Sequence, residues 1–288
     1  GPASHAADHD DRRRLSNRLG IAPRPLPDTL GGIAVTAADP GGARVRVISG
    51  AITHPALPDA TAERQYNFRD HPARVNTTQR APLAPAQVQR IGHIVLQSNR
   101  YLETLNWYPE HLGLIVSAFL FSPGQRARGP VMSFIRCDRG DTPADHHTLA
   151  MTLGPSNRYV HSAFQVADLD TLARGGEFLR GRGHYRSWGI GRHIQGSQIF
   201  DYWRDPDGFL VEHYADGDLF DCSLSPGWAP MPASGRAQWG PPATADFLGV
   251  KPGTRSMKEV RSILSALATP DNEFDAERLL GLLKVPNA

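Results

Sequence analysis

The 288 residues are 40% hydrophobic and carry 31 basic against 29 acidic side chains, a net charge of +2. Enough apolar chain is present for a sizeable core, and no basic excess argues for nucleic acid, so small ligands are favoured. Two cysteines, Cys137 and Cys222, lie far apart without pair spacing, which excludes a disulfide framework or zinc ribbon and fits structural thiols in a reducing, cytoplasmic compartment.

The chain opens Gly1-Pro2 without a methionine and with no signal-like segment, as expected of a cleavage scar or a fragment boundary. Residues 1–54 read as a partial module: a strand at 3–10, a helix carrying Leu15 and Leu19, and a strand pair about Asp39-Pro40-Gly41-Gly42. Residues 55–88, rich in Pro, Ala, Thr and Arg, read as an extended linker laid over the surface.

A second copy of the unit starts at Ile91, with Ile91, His93 and Val95 alternating against Gly92, Ile94 and Leu96. A helix is expected at 101–107 and strands at 114–121 and 131–136. The longest apolar stretch, 112–121, is too short to span a bilayer. The third copy, 158–216, begins with Tyr159-Val160-His161-Ser162-Ala163-Phe164 and continues through a helix with Leu172 and Leu179 to a strand pair about Asp205-Pro206-Asp207-Gly208. Each unit reads βαβββ. The fold expected is α+β, with paired βαβββ modules forming curved mixed sheets around a cleft and a catalytic domain at 89–216. Residues 217–288 form a Pro/Gly-rich tail with helices expected at 257–268 and 274–283, wrapping the domain or joining subunits.

Within the third copy, His193, Tyr202 and Glu212 stand nine and then ten positions apart across the Asp205–Gly208 turn. Pro206 suits the second position of a type I turn and Gly208 the left-handed residue that closes a three-residue hairpin loop. Counting outward from that loop sets Tyr202 opposite Glu212 on one sheet face. His93 and His161 arrive on separate strands, and two imidazoles with one carboxylate bind a ferrous ion on one face while leaving the other open. The first copy has no such site, because Arg46 lies seven residues past Asp39 where Glu212 lies seven past Asp205.

His147, in Asp145-His146-His147-Thr148-Leu149-Ala150, fits a non-ligand histidine that exchanges protons with bound dioxygen. His193 follows Gly189-Ile190-Gly191-Arg192, which reads as a mobile loop that brings it to a substrate hydroxyl; Tyr202 offers a second hydrogen bond there. Taken singly these residues have plainer readings: His93 as an interior histidine, Glu212 as an arginine partner, Tyr202 as a core aromatic and His193 as a loop residue. Their joint spacing overrides those readings, and an inward carboxylate is costly without a cation. His146, His5, His9, His111 and His213 are read as structural or solvent-facing. The Arg174–Gly183 run reads as a solvated helix end rather than an RNA contact, and Gly189-Ile190-Gly191 lacks the third glycine of a dinucleotide loop.

The strand Gly92-His93-Ile94-Val95-Leu96, the segment His147-Thr148-Leu149-Ala150, His161 and the His193, Tyr202, Glu212 spacing resemble the type I extradiol ring-cleavage dioxygenases of the vicinal oxygen chelate superfamily, over 91–216. The resemblance implies that superfamily's fold and Fe(II), or Mn(II) in its place, held by His93, His161 and Glu212. It implies a catechol substrate, substituted, bicyclic or trihydroxylated, whose ring is opened beside the diol with both atoms of O2. It gives His147 the proton chemistry of dioxygen, and His193 and Tyr202 the binding and deprotonation of the catechol. It further implies a homo-oligomer, while the charge balance and the short apolar stretch argue for no nucleic-acid or membrane partner. Complete members carry two βαβββ units ahead of the catalytic domain, whereas one fits before Ile91, so either a front portion is missing or the subfamily is short. Ile194, Gln195 and Gly196 lack polar residues that some members place after the equivalent of His193. Two other functions compete: a metal-dependent isomerase or lyase of the same superfamily, which does not need His147, His193 and Tyr202 together, and a binding module for an aromatic ligand.

Overall fold

In the computed structural model, residues 12–53, 55, 66–231, 237–249, 255–270 and 272–284 are described. The strand expected at 3–10, with His5 and His9, lies outside the described residues. Helix α1 (residues 12–19) is followed by a small antiparallel sheet of β1 (Arg24–Pro25), β2 (Ile33–Ala38) and β3 (Arg44–Ser49). Its turn is closed by Asp39, whose Oδ1 accepts from Ala43 N at 2.8 Å. Arg46 Nε, at the position compared with Glu212, donates to Thr36 Oγ1 at 3.2 Å.

The two later copies are complete. The first comprises β4 (Val88–Ser98), α2 (Tyr101–Leu112), β5 (Ile115–Phe121), β6 (Met132–Arg136) and, after the short β7 (Ala144–Asp145), β8 (Leu149–Leu153). The second comprises β9 (Arg158–Val166), α3 (Leu169–Gly181), β10 (Tyr185–His193), β11 (Ile199–Arg204) and β12 (Leu210–Ala215). In each, the last strand lies parallel beside the first, β8 on β4 and β12 on β9, and β4 pairs antiparallel with β9 to join the halves.

Helix α2 runs past the expected Trp107 because Tyr101, Thr104, Leu105 and Tyr108 form one buried stripe at spacings of three and four, ending where Gly113 takes a left-handed φ of 70°. Helix α3 starts at Asp168, whose side chain accepts from Thr171 N at 2.7 Å. The end of the Arg174 run, residues 180–183, is exposed as expected, but its first two glycines are not. Gly175 and Gly176 are buried, and a Cβ on Gly175 would come within 2.5 Å of the Ala86 methyl, so the helix packs directly on the chain that leads into β4.

Alternation divides the main sheet into two faces. On β8, Leu149, Met151 and Leu153 join the outer core with Tyr101 and Leu105 of α2, whereas Ala150 faces inward with Phe134. Leu15, Val35 and Ala37 of the N-terminal piece and Phe274 of the tail share that outer core.

Three tail strands were not foreseen, since they are short and lack an alternating pattern. β13 (Leu219–Phe220) pairs with β7, β14 (Gly227–Pro230) with β5, and β15 (Ala237–Trp239) with β10. Helices α4 (Arg255–Ala268) and α5 (Ala276–Leu283) follow. The main sheet thus has ten strands in the order β14-β5-β6-β8-β4-β9-β12-β11-β10-β15. Laid flat, it would be about 43 Å across at the usual strand spacing. Yet Met231, just past β14, and Ala237, which opens β15, are six positions apart in the chain, a reach of about 22 Å at most. The two edges are therefore drawn together and the sheet curls into a trough. No described helix is long and apolar enough to cross a membrane.

Candidate functional site

The trough's inner face is set by register. His93 lies opposite Ala163 and Val95 opposite His161, so a local twofold axis between β4 and β9 exchanges the two histidines. A bulge between Ile91 and His93 breaks the expected alternation: His93 turns inward, while Ile91 is exposed rather than sharing its face. Glu212 on β12 stands beside Ala163, and the matching position on β8, beside Val95, is Ala150. One carboxylate therefore serves both histidines. The Asp205–Gly208 turn fixes its height: Asp205 N donates to Phe209 O at 3.0 Å, Gly208 has φ 85°, and Tyr202 pairs with Glu212.

One donor atom from each of His93, His161 and Glu212 lies within 4.8 Å of the others, and all three residues are buried. His93 Nε2 and His161 Nε2 stand 3.2 and 3.3 Å from Glu212 Oε2, the separation of neighbouring donors around one ion with bonds of about 2.1 Å. Neither approach is aligned as a hydrogen bond, so both Glu212 oxygens and both ring nitrogens of His161 are buried without a partner. A carboxylate at 0% exposure left in that state costs several kcal/mol unless a cation meets it. The donor set thus fits a metal ion. Burial pushes the Glu212 carboxyl up, but the imidazoles of His161, His193 and His93 outweigh it and hold the group well below its usual range.

The other three expected residues gather around this triad. The His147 ring lies 4.0 Å from that of His93, and burial, with His93 and His146 beside it, holds His147 well below its ordinary pKa and so neutral. His193 Nε2 is 2.9 Å from Tyr202 Oη and 3.7 Å from Glu212 Oε1. Burial and the neighbouring Glu212 raise Tyr202 well above the usual phenol range, so it is a neutral donor. His193 does not hang from a mobile loop. Gly189-Ile190-Gly191 is the body of β10, where the absence of a side chain at Gly191 admits the Phe200 ring and the Trp239 carbonyl; a Cβ there would meet them at 2.7 and 2.8 Å.

Two inner-face residues escaped the sequence reading. His146, taken as structural or solvent-facing, is 3% exposed, with Nδ1 3.0 Å from Nδ1 of His147, and burial lowers its pKa to about 4. Adjacent residues share this interior because they lie between β7 and β8, outside any strand, and no periodicity announces that. Tyr214 follows Glu212 by two on β12, a spacing that could have revealed it. Its hydroxyl is buried without a partner at the edge of a polar cavity of ≈ 360 Å³ that Arg90, Asp145 and Gln165 also line. A second cavity, ≈ 240 Å³, lies between the Asp39 turn and the end of β4, and no triad residue lines it.

Residues 90–213 match the model of the Glyoxalase/Bleomycin resistance protein/Dioxygenase superfamily. This stretch holds both β4 and β9 histidines and Glu212. The likeness covers 124 of the 288 residues, less than half of the chain. Metapyrocatechase 2 of Cupriavidus necator is 30% identical over an alignment of 181 residues that covers 59% of this chain and 52% of that protein, so the chain spans about half the length of this curated relative. The fold recurs in the Mn(II)-bound glyoxalase from Novosphingobium aromaticivorans, at 22% identity and a TM-score of 0.60, covering 93% of this chain and 74% of that one. It recurs also in a 2,3-dioxygenase from Pseudomonas sp. KL28, at 16% identity and a TM-score of 0.57, covering 78% and 71%.

Proposed function

We propose that the protein is an Fe(II)-dependent extradiol dioxygenase, cleaving a catechol ring beside its vicinal diol with both atoms of O2 entering the product. The observation that carries this reading is a buried His93–His161–Glu212 triad, with Glu212 lacking any hydrogen-bond partner, surrounded by His147, His193 and Tyr202. The likeness to a metapyrocatechase supports it. His93, His161 and Glu212 hold the ion, Fe(II) or Mn(II), which when bound supplies Lewis acidity and an electron path between a chelated diol and dioxygen.

The remaining residues handle protons. Tyr202, neutral because burial raises its pKa, donates to a catecholate oxygen. His193, linked to it at 2.9 Å, accepts the proton that the diol must lose to chelate. His147, held neutral beside His93, is a base toward acidic oxygen species and returns the proton later. An isomerase or lyase would have no use for all three. The same reading takes the assembly as a cytoplasmic homo-oligomer, which gel filtration checks in its oligomeric part.

Reconstitution with Fe(II) without oxygen, followed by a catechol panel in air, tests the proposal. A yellow ring-opened product with matching oxygen uptake is expected. No uptake with any diol rejects it.

A further inference from the structure

The inner face of the second module is partly roofed by the tail. From β15 at the edge of β10, residues 237–249 run back across Trp188 and Tyr202. The Pro241 carbonyl accepts from Trp188 Nε1 at 2.9 Å, and Thr244 Oγ1 donates to Ser187 O at 2.6 Å. Asp246 then locks the segment: its Oδ2 accepts from Ser187 Oγ at 2.7 Å and from Arg204 Nε at 3.0 Å, and its carbonyl accepts from Arg204 Nη2 at 3.1 Å. The Arg204 and Asp246 side chains are only 17% and 12% exposed, so this latch is less screened than a surface pair.

The latch presents the next residue, Phe247, to the site. Its ring centroid is 4.8 Å from that of Tyr202 and 4.4 Å from that of Trp188. Trp188 lies opposite Tyr202 in the β10–β11 register and Tyr202 opposite Glu212 in the β11–β12 register, so these side chains share the metal-facing side. Behind them, Phe200 closes the wall, 4.1 Å from Trp188 and 4.2 Å from His193. A diol bonded to Tyr202 therefore has Phe247 one ring away, on a wall already filled with aromatic rings.

Resting on the ring-cleavage reading, we propose that Phe247, held by the Asp246 latch, is a specificity-determining residue that confines the substrate to monocyclic catechols by occupying the space a second aryl ring would need. Tyr202 and His193 select the diol; Phe247 limits what the ring carries beside it. The contact is apolar and local, so it discriminates by size rather than by charge.

The test is anaerobic calorimetric titration of Fe(II)-loaded wild type and Phe247→Ala with catechol and with 3-phenylcatechol, a readout that needs no turnover. In wild type, catechol binds the tighter of the two. In Phe247→Ala the affinity for 3-phenylcatechol relative to catechol rises about tenfold or more, the scale on which an apolar pocket discriminates by size. Phe247→Leu gives a smaller shift in the same direction and replaces the alanine variant if that one fails to fold. A ratio within about twofold of wild type in a variant that still binds catechol overturns the role of Phe247 and leaves the ring-cleavage reading standing. Failure of wild type to bind any catechol overturns both.

Discussion

Glu212 is the residue on which the site depends most, because it is wholly buried, has no hydrogen-bond partner and faces three imidazoles. Replacing it by Gln keeps the shape but removes the charge that offsets a cation. Fe(II) affinity of Glu212→Gln is expected to fall by more than about a hundredfold, beyond the range that outer-sphere substitutions produce; metal content after dialysis measures it, and full loading would remove Glu212 from the ligand set. His147 predicts the opposite division. Its ring lies tilted 4.0 Å from that of His93 without joining the triad, so His147→Ala is expected to keep metal and catechol binding. Its turnover should drop by about 10²–10⁴, the usual contribution of a positioned acid–base group. Oxygen uptake set against anaerobic catechol binding separates the two effects, and unchanged turnover would take His147 out of the chemistry.

At the level of strands and turns, much of the site was legible because short-range chemistry fixes it. Asp205-Pro206-Asp207-Gly208 dictates the loop, the loop dictates register, and register sets Tyr202 opposite Glu212. Where partners are remote, the sequence is silent. The bulge that turns His93 inward past exposed Ile91 depends on pairing with β9, and β10 is a strand because β11 and β15 flank a glycine-rich segment that by itself reads as a loop. The same holds for β14 and β15, whose residues pair with sheet edges that a local pattern cannot reveal. Gly92 shows how tightly the inner face is packed. A Cβ there would fall 2.0 Å from Tyr214 Oη and 2.4 Å from its ring, which is 2% exposed and would have to shift. Gly92→Ala should destabilise by about 1–3 kcal/mol in urea denaturation. Adding Tyr214→Ala should recover part of that loss, whereas strict additivity of the two changes would rule out the clash as its cause.

For the molecule as a whole, the buried imidazoles couple folding to pH. Burial lowers the pKa of His146 from 6.5 to about 4, and of His147 and His213 in the same direction. The unfolded chain therefore binds protons that the folded one refuses as pH drops below 6.5, and stability must fall with it. Above that value all these groups are neutral in both states and the effect is fully present as stability; it is lost progressively toward about pH 4 for His146. The melting temperature of the metal-free protein should be flat from pH 8 to 7 and decline steadily below. A flat profile down to pH 4.5 would contradict the neutral, buried state of these rings.

The twofold relation between β4 and β9 has a consequence for the pair of modules. One contributes His93 and an alanine where an acid would be needed, the other His161 and Glu212, so neither half carries a complete donor set. An ion bound there rivets two duplicated halves along their shared seam, and separating the halves by cleavage near residue 157 would forfeit the metal even if each piece folded.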